Sequence, residues 1–103
     1  MKTNTANEAN TDKLQASEQA AKLITEAVNL CKHGEYERAF PVIQQALRLA
    51  KEAENSSQIA QSFNIHVIIV RNWGQFTRAI EYFNKSLYLY EKYGTQKNVA
   101  TLL

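Results

Sequence analysis

The stretch that decides the fold reads Gly34-Glu35-Tyr36-Glu37-Arg38-Ala39-Phe40, and forty residues later the chain reads Gly74-Gln75-Phe76-Thr77-Arg78-Ala79-Ile80. Each copy continues with large and small side chains at matching offsets: Ile43, Ala46, Leu47 and Leu49 in the first, and Phe83, Ser86, Leu87 and Leu89 in the second. Similarity at a fixed period is typical of proteins that stack one supersecondary unit on the next. The sequence therefore predicts a repeat protein with a period of forty residues.

Around these stretches, apolar residues recur three and four positions apart, which favours helices. The pattern predicts helices over residues 12–33, 36–53, 58–73 and 76–93. Glycine tolerates the positive φ that commonly follows a helix, so we expect Gly34, Gly74 and Gly94 to end the first, third and fourth helices. Asn55-Ser56-Ser57 is expected to form the loop between the second and third helices.

Two segments argue against simple helices. Pro41 lies inside the second helix, but close enough to its first turns that we expect a slight kink rather than a break. The segment Ile65–Val70 is rich in β-branched residues, and propensity alone would allow a strand. Because it lacks the alternation of a strand and its equivalent forty residues earlier is a clear helical pattern, we predict a helix there.

The two ends of the chain differ from its middle. Residues 1–10 are polar and without periodicity, which predicts a disordered tail, followed by a helical repeat domain over 11–103. Repeat one covers about 20–53 and repeat two about 60–93. Residues 97–103 are expected to open a third repeat, because Val99, Ala100 and Leu103 match Ile59, Ala60 and Phe63 at the forty-residue offset.

Composition narrows the class of protein. A chain of 103 residues is expected to form one compact unit, and its net charge of +2, from 12 basic and 10 acidic residues, makes a nucleic-acid partner unlikely on electrostatic grounds. Residues 1–13 are polar, so we expect no secretory signal, and no apolar run approaches the roughly 18–20 residues that span a bilayer. The single cysteine, Cys31, excludes an intrachain disulfide and favours a cytoplasmic setting.

The second helix of each pair carries the strongest motif: Gly34, Tyr36, Ala39, Ile43, Ala46 and Leu47, and then Gly74, Phe76, Ala79, Phe83, Ser86 and Leu87. This pattern resembles the tetratricopeptide repeat (TPR) family. The forty-residue period and Ala39-Phe40-Pro41 resemble its longer-period subclass, seen in kinesin light chains and related bacterial scaffolds. The resemblance implies an all-α helical solenoid of two stacked antiparallel helix-turn-helix repeats plus the start of a third, acting as a non-catalytic protein-binding scaffold.

In TPR arrays the binding groove is lined mostly by the first helix of each pair. Carried over to this chain, the resemblance places in the groove Ala21, Ile24, Val28, Cys31 and Lys32 from repeat one, and Gln61, Asn64, Ile68, Arg71 and Asn72 from repeat two. We expect the groove to bind a peptide or protein partner. Asn64, Arg71 and Asn72 are suited to a backbone carbonyl or a carboxylate of an extended peptide.

The fourth helix offers an alternative surface. Tyr82, Tyr88 and Tyr90 cannot share one narrow face, since a two-residue step turns about 200° around a helix. Some must therefore point away from the third helix, and with Val99, Leu102 and Leu103 they predict a self-association surface. The chain would then be a structural segment of a longer array, or a homodimer if it is complete. RNA binding is a weaker third hypothesis, because the basic residues are scattered among acidic ones.

Candidate catalytic and metal-binding residues are few. Cys31, His33 and His66 are the only soft metal ligands, and three such residues without the usual spacing do not predict a zinc site. We expect a core thiol and surface imidazoles instead. Nothing in the sequence builds an oxyanion hole, and the three glycines leave no phosphate-binding loop. The sequence thus predicts no enzyme activity, no metal and no cofactor.

Overall fold

The computed structural model describes the backbone of residues 5–93 and the side chains of residues 11–92. Four helices follow one another: α1 (Thr5–Lys32), α2 (Tyr36–Glu52), α3 (Ser56–Asn72) and α4 (Phe76–Tyr93). This described part of the chain contains no strand, so the predicted all-α class is confirmed. The β-branched segment Ile65–Val70 lies within α3, as predicted.

The three turns between the helices are closed by the same backbone hydrogen bonds. The amide that follows the C-cap bonds three residues back in each case: Gly34 to Cys31, Glu54 to Lys51 and Gly74 to Arg71, all at 3.0 Å. The next amide bonds five residues back: Glu35 to Leu30, Asn55 to Ala50 and Gln75 to Val70, at 2.8–3.0 Å. This is the Schellman arrangement, and it places residues 34, 54 and 74 at φ values of 74°, 55° and 79°. The turns thus recur every twenty residues, and two helix-turn units make one forty-residue repeat.

Two helix boundaries differ from the sequence-based expectations. Helix α1 begins at Thr5 and not at the predicted residue 12, and residues 1–4 of the predicted disordered tail (1–10) lie outside the described residues. Ser56 and Ser57 begin α3 instead of forming a loop, since the Asn55 side chain caps the helix by accepting a 3.1 Å hydrogen bond from the Gln58 amide. Gly94 and the expected third repeat at 97–103 lie outside the described residues.

Proline does not interrupt α2. The helix runs from Tyr36 to Glu52 through Pro41, whose ring is exposed on the solvent side. At that position the lost amide deprives only one carbonyl of its helical partner. The predicted slight kink stays a prediction.

Small residues let the helices pack closely. Helix α1 packs against α2, α3 against α4, and α3 also contacts both α2 and α1. Fully buried alanines occupy these contacts, at positions 20, 27, 39, 46 and 50. Ile43 of α2 and Ile69 of α3 are also fully buried and belong to the central cluster. Two antiparallel hairpins are therefore stacked side by side.

A polar clasp joins the start of α3 to α1. The Asn55 side-chain amide donates to the Ser17 hydroxyl at 3.1 Å, and the Gln58 side-chain amide donates to the Ser17 backbone carbonyl at 2.8 Å. These bonds connect residues about forty positions apart in the sequence. They hold the first helices of the two repeats next to each other, which positions the predicted groove.

Candidate functional site

The predicted groove residues of α3 form one continuous strip. Gln61, Asn64, Ile68 and Arg71 are three or four residues apart, so they share one face of the helix. Gln61 and Arg71 are exposed, and Asn64 and Ile68 are half-buried. Asn72, at the end of the helix, is also exposed. The strip therefore presents polar groups to solvent around one apolar side chain.

The predicted groove residues of α1 lie closer to the core. Ile24, Val28 and Cys31 are half-buried and pack against the cluster that contains Ile65 and Ile69. Burial raises the pKa of the Cys31 thiol. Ile24, Val28 and Cys31 thus form the apolar part of the predicted groove where the two repeats touch, and their side chains are only partly exposed to solvent. Ala21 and Lys32 are exposed beside it.

Arg71 differs from the other arginines of the described chain. Arg38 pairs with Glu35, Arg48 pairs with Glu52 at 2.8 Å, and Arg78 donates to Gln75 at 2.8 Å. The Arg71 guanidinium has no side-chain partner among the described residues. Its five N–H donors are therefore available to a ligand, and a guanidinium fits a carboxylate with two parallel hydrogen bonds.

The tyrosines of α4 fall into three different environments. Tyr82 is half-buried and stacks on His66 with ring centroids 4.8 Å apart, so this predicted self-association residue already contributes to the fold. Tyr90 is half-buried, and burial raises the pKa of its phenol. Tyr88 is 58% exposed. Val99, Leu102 and Leu103, predicted for the same surface, lie outside the described residues.

The prediction that both imidazoles lie at the surface is wrong for His66. The ring is 2% exposed, and its Nδ1 lies 2.9 Å from the Ser62 carbonyl. It lies between Phe40, at 5.6 Å between centroids, and Tyr82. Burial is the largest cause of the lowered pKa of His66, and nearby positive charges lower that pKa further. His66 occupies a face of α3 that α2 and α4 both cover, and no local pattern in the sequence indicates this.

The two ends of the stack have opposite character. Phe76 and Ile80 of α4 are 63% and 60% exposed, whereas the equivalent residues of α2, Tyr36 and Phe40, are half-buried. Phe40 is covered by α3, where it contacts His66 and, at 5.3 Å between centroids, Trp73. On α1, the positions equivalent to the buried Ser62, His66 and Ile69 are the exposed Lys22, Glu26 and Asn29. The outer face of α1 is thus polar and that of α4 is apolar.

Neither the described side chains nor the comparison with known proteins assigns a function. Within the described residues, no three His, Cys, Asp or Glu side chains come together in a way that could hold a metal ion. The same part of the chain has no helix with the length and apolar character needed to cross a membrane. No protein-family model, curated protein or solved structure matches the chain.

Proposed function

We propose that this chain is a non-catalytic protein-interaction module of the TPR-like kind, which binds a peptide or protein partner in the groove between α1 and α3. The observation that carries the proposal is the unpaired Arg71 guanidinium on the same exposed strip as Asn64. Repeat geometry supports it, because the two halves make equivalent turn hydrogen bonds forty residues apart. A cytoplasmic setting, suggested by the lone Cys31 thiol, is part of the proposal.

Binding would follow from preorganisation. Helical hydrogen bonds already hold the backbone of α1 and α3, so little ordering cost is left on the protein side. Arg71 would receive a carboxylate of the partner, Asn64 a backbone amide group, and Ile68 an apolar side chain. A hydrogen bond to a charged group contributes about 1.5–3 kcal/mol, so losing the Arg71 contact should weaken binding roughly 10-fold to 100-fold.

A random peptide library selected on the purified chain tests this proposal. The selected peptides are then titrated against the wild type, Arg71→Ala and Asn64→Ala. Arg48→Ala is the matched control, because Arg48 is also an exposed arginine, on α2, and pairs with Glu52. We expect weaker binding by at least about tenfold for Arg71→Ala and no change for the control. Unchanged affinity in the Asn64→Ala/Arg71→Ala double variant would exclude the groove as the site.

A second candidate function is structural: the chain as a segment of a longer array that associates through the outer face of α4. The exposed Phe76 and Ile80 favour it, because the equivalent residues Tyr36 and Phe40 of α2 are half-buried and His66 of α3 covers Phe40. Light scattering over a range of protein concentrations tests self-association through this face. A monodisperse monomer at high concentration, with the same mass as a Phe76→Ser/Ile80→Ser variant, would argue against it.

A further inference from the structure

Helix α4 carries three cationic side chains at seven-residue intervals, Arg78, Lys85 and Lys92, which we call the basic stripe. Seven residues make nearly two helical turns and about 10.5 Å of rise, so the three share one face of the helix. All three are exposed. The stripe therefore presents positive charge at a regular spacing along the length of α4.

Each cation of the stripe lies over an aromatic ring. The Arg78 guanidinium is 5.9 Å from the centroid of Tyr82, and the Lys92 ammonium is 5.5 Å from that of Tyr88. The Lys85 ammonium is 5.8 Å from Tyr82 and 5.8 Å from Phe63. Attraction to the ring faces restricts where the long side chains place their charges. The charges are thus partly preorganised for a partner.

An apolar cleft opens beside the middle of the stripe. It has a volume of about 390 Å³ and is lined by Phe63, Asn84, Lys85, Tyr88 and Leu89. Tyr88 is among the most exposed large apolar residues of the described chain. The surface therefore combines an apolar recess with positive charge on its rim.

The repeat itself shows that the fold does not require this surface. The residues of repeat one equivalent to the stripe are Arg38, Gln45 and Glu52, which carry no net charge. The residues equivalent to Phe63, Tyr82 and Tyr88 are Leu23, Val42 and Arg48. Two helices of the same architecture thus tolerate very different residues here. Tyr82 packs on His66, but packing does not explain the basic residues or the exposed Tyr88 of α4.

Two cations of the stripe are not neutralised by a close carboxylate among the described residues. Lys85 makes no ion pair with any described residue, and the Arg78 guanidinium donates to uncharged groups: Gln75, at 2.8 Å, and the Tyr82 hydroxyl, at 3.4 Å. Glu81 lies about one turn from both cations and forms no ion pair with either. A carboxylate from outside can therefore approach Lys85 without displacing an existing partner.

We infer that this face of α4 binds an acidic amphipathic helix of a partner protein. Carboxylates seven residues apart on such a helix are separated by about 10.5 Å along its axis, the same separation as in the stripe. Two helices that lie side by side therefore bring the opposite charges into register. An apolar side chain between those carboxylates enters the cleft beside Tyr88. A nucleic acid is less suited, because Glu81 and Glu91 interrupt the positive charge that a polyanion needs.

A synthetic helical peptide with Glu at every seventh position and a Leu between successive Glu residues tests this inference. Its matched control carries Gln in place of each Glu. We expect the acidic peptide to bind the full chain more tightly than the Gln peptide, by about tenfold at low salt, with the difference shrinking as salt is added. No measurable binding of the acidic peptide, or equal binding of the two peptides, overturns the inference.

Variants of the chain locate the site. Lys85→Gln introduces the residue that repeat one carries at the equivalent position, so it should fold normally, weaken the acidic peptide about threefold to tenfold and reduce the salt dependence. Tyr88→Ala should weaken both peptides, and Glu81→Gln should strengthen the acidic one. Arg48→Ala, on α2, should change nothing, because Arg48 is paired with Glu52 and lies in neither proposed site. Unaltered binding to Lys85→Gln, or tighter binding of an oligonucleotide of equal charge, refutes the inference.

Discussion

Replacing Gly34 by alanine should lower the free energy of unfolding by about 1 kcal/mol, because the backbone strain exceeds the gain from a less flexible unfolded chain. Gly34 has a φ of 74°, and a Cβ added there would meet no other atom within 4 Å. A left-handed conformation costs a residue with a side chain about 1–2 kcal/mol. Alanine recovers about 0.4–1 kcal/mol by restricting the unfolded chain, which leaves the net loss stated. For a chain of this size the melting temperature should fall by roughly 4–8 °C.

The turn between α2 and α3 provides the internal control. Glu54 holds the same position with a φ of 55°, so Glu54→Gly should raise stability by up to about 1 kcal/mol. Its ion pair with Lys13 is exposed and offsets little of this gain. Gly34→Asn should cost less than Gly34→Ala, since asparagine tolerates positive φ better than other residues. Urea unfolding followed by circular dichroism measures all three variants. The reasoning fails if Gly34→Ala is neutral while Glu54→Gly destabilises.

Three further predictions concern the core. Ile43→Ala should lower the free energy of unfolding by about 2–5 kcal/mol, measured by urea titration, because Ile43 is fully buried. Ser62→Ala should leave stability unchanged or raise it, since the buried Ser62 hydroxyl has no hydrogen-bond partner among the described residues. Ser86→Ala, in contrast, should cost about 0.5–1.5 kcal/mol by removing a 2.9 Å bond to the Ala60 carbonyl. Burial lowers the pKa of His66 in the folded chain, so the unfolded chain binds this proton at a higher pH than the folded chain does. Stability should therefore be full above the unfolded pKa of about 6.5 and fall as the pH drops below it, and thermal melts of His66→Phe should lack this loss.

Local signals explain why the helices could be predicted from the sequence. Gly34 and Gly74 mark turns by themselves, because few other residues accept their φ values. The turn between α2 and α3 carries Glu54 in place of a glycine. The residues after it, Asn55 and Ser56, are typical both of loops and of helix starts. The sequence alone could not decide between these roles. The midpoint of the forty-residue interval from Gly34 to Gly74 is residue 54, which would have placed the turn correctly.

The candidate site was harder to predict, because burial depends on contacts between distant residues. Gln61 and Arg71 lie at the surface, and the groove role proposed for them stays a prediction. His66 is buried because α2 and α4 both cover its ring, which no local pattern indicates. The basic stripe was missed because its lysines were counted over the whole chain, where acidic residues balance them, and not along one face of α4.

The equal spacing of the turns makes the molecule extensible by tandem duplication. A second copy of residues 53–92 inserted directly after Lys92 would keep a left-handed residue at every twentieth position. The new helix would carry the sequence of α3 and would lie over Ile80, as α3 lies over Phe40. An insertion of forty residues keeps the alternation of first and second helices. An insertion of twenty residues adds only one helix and its turn, so it would put a first helix of a pair where a second helix belongs.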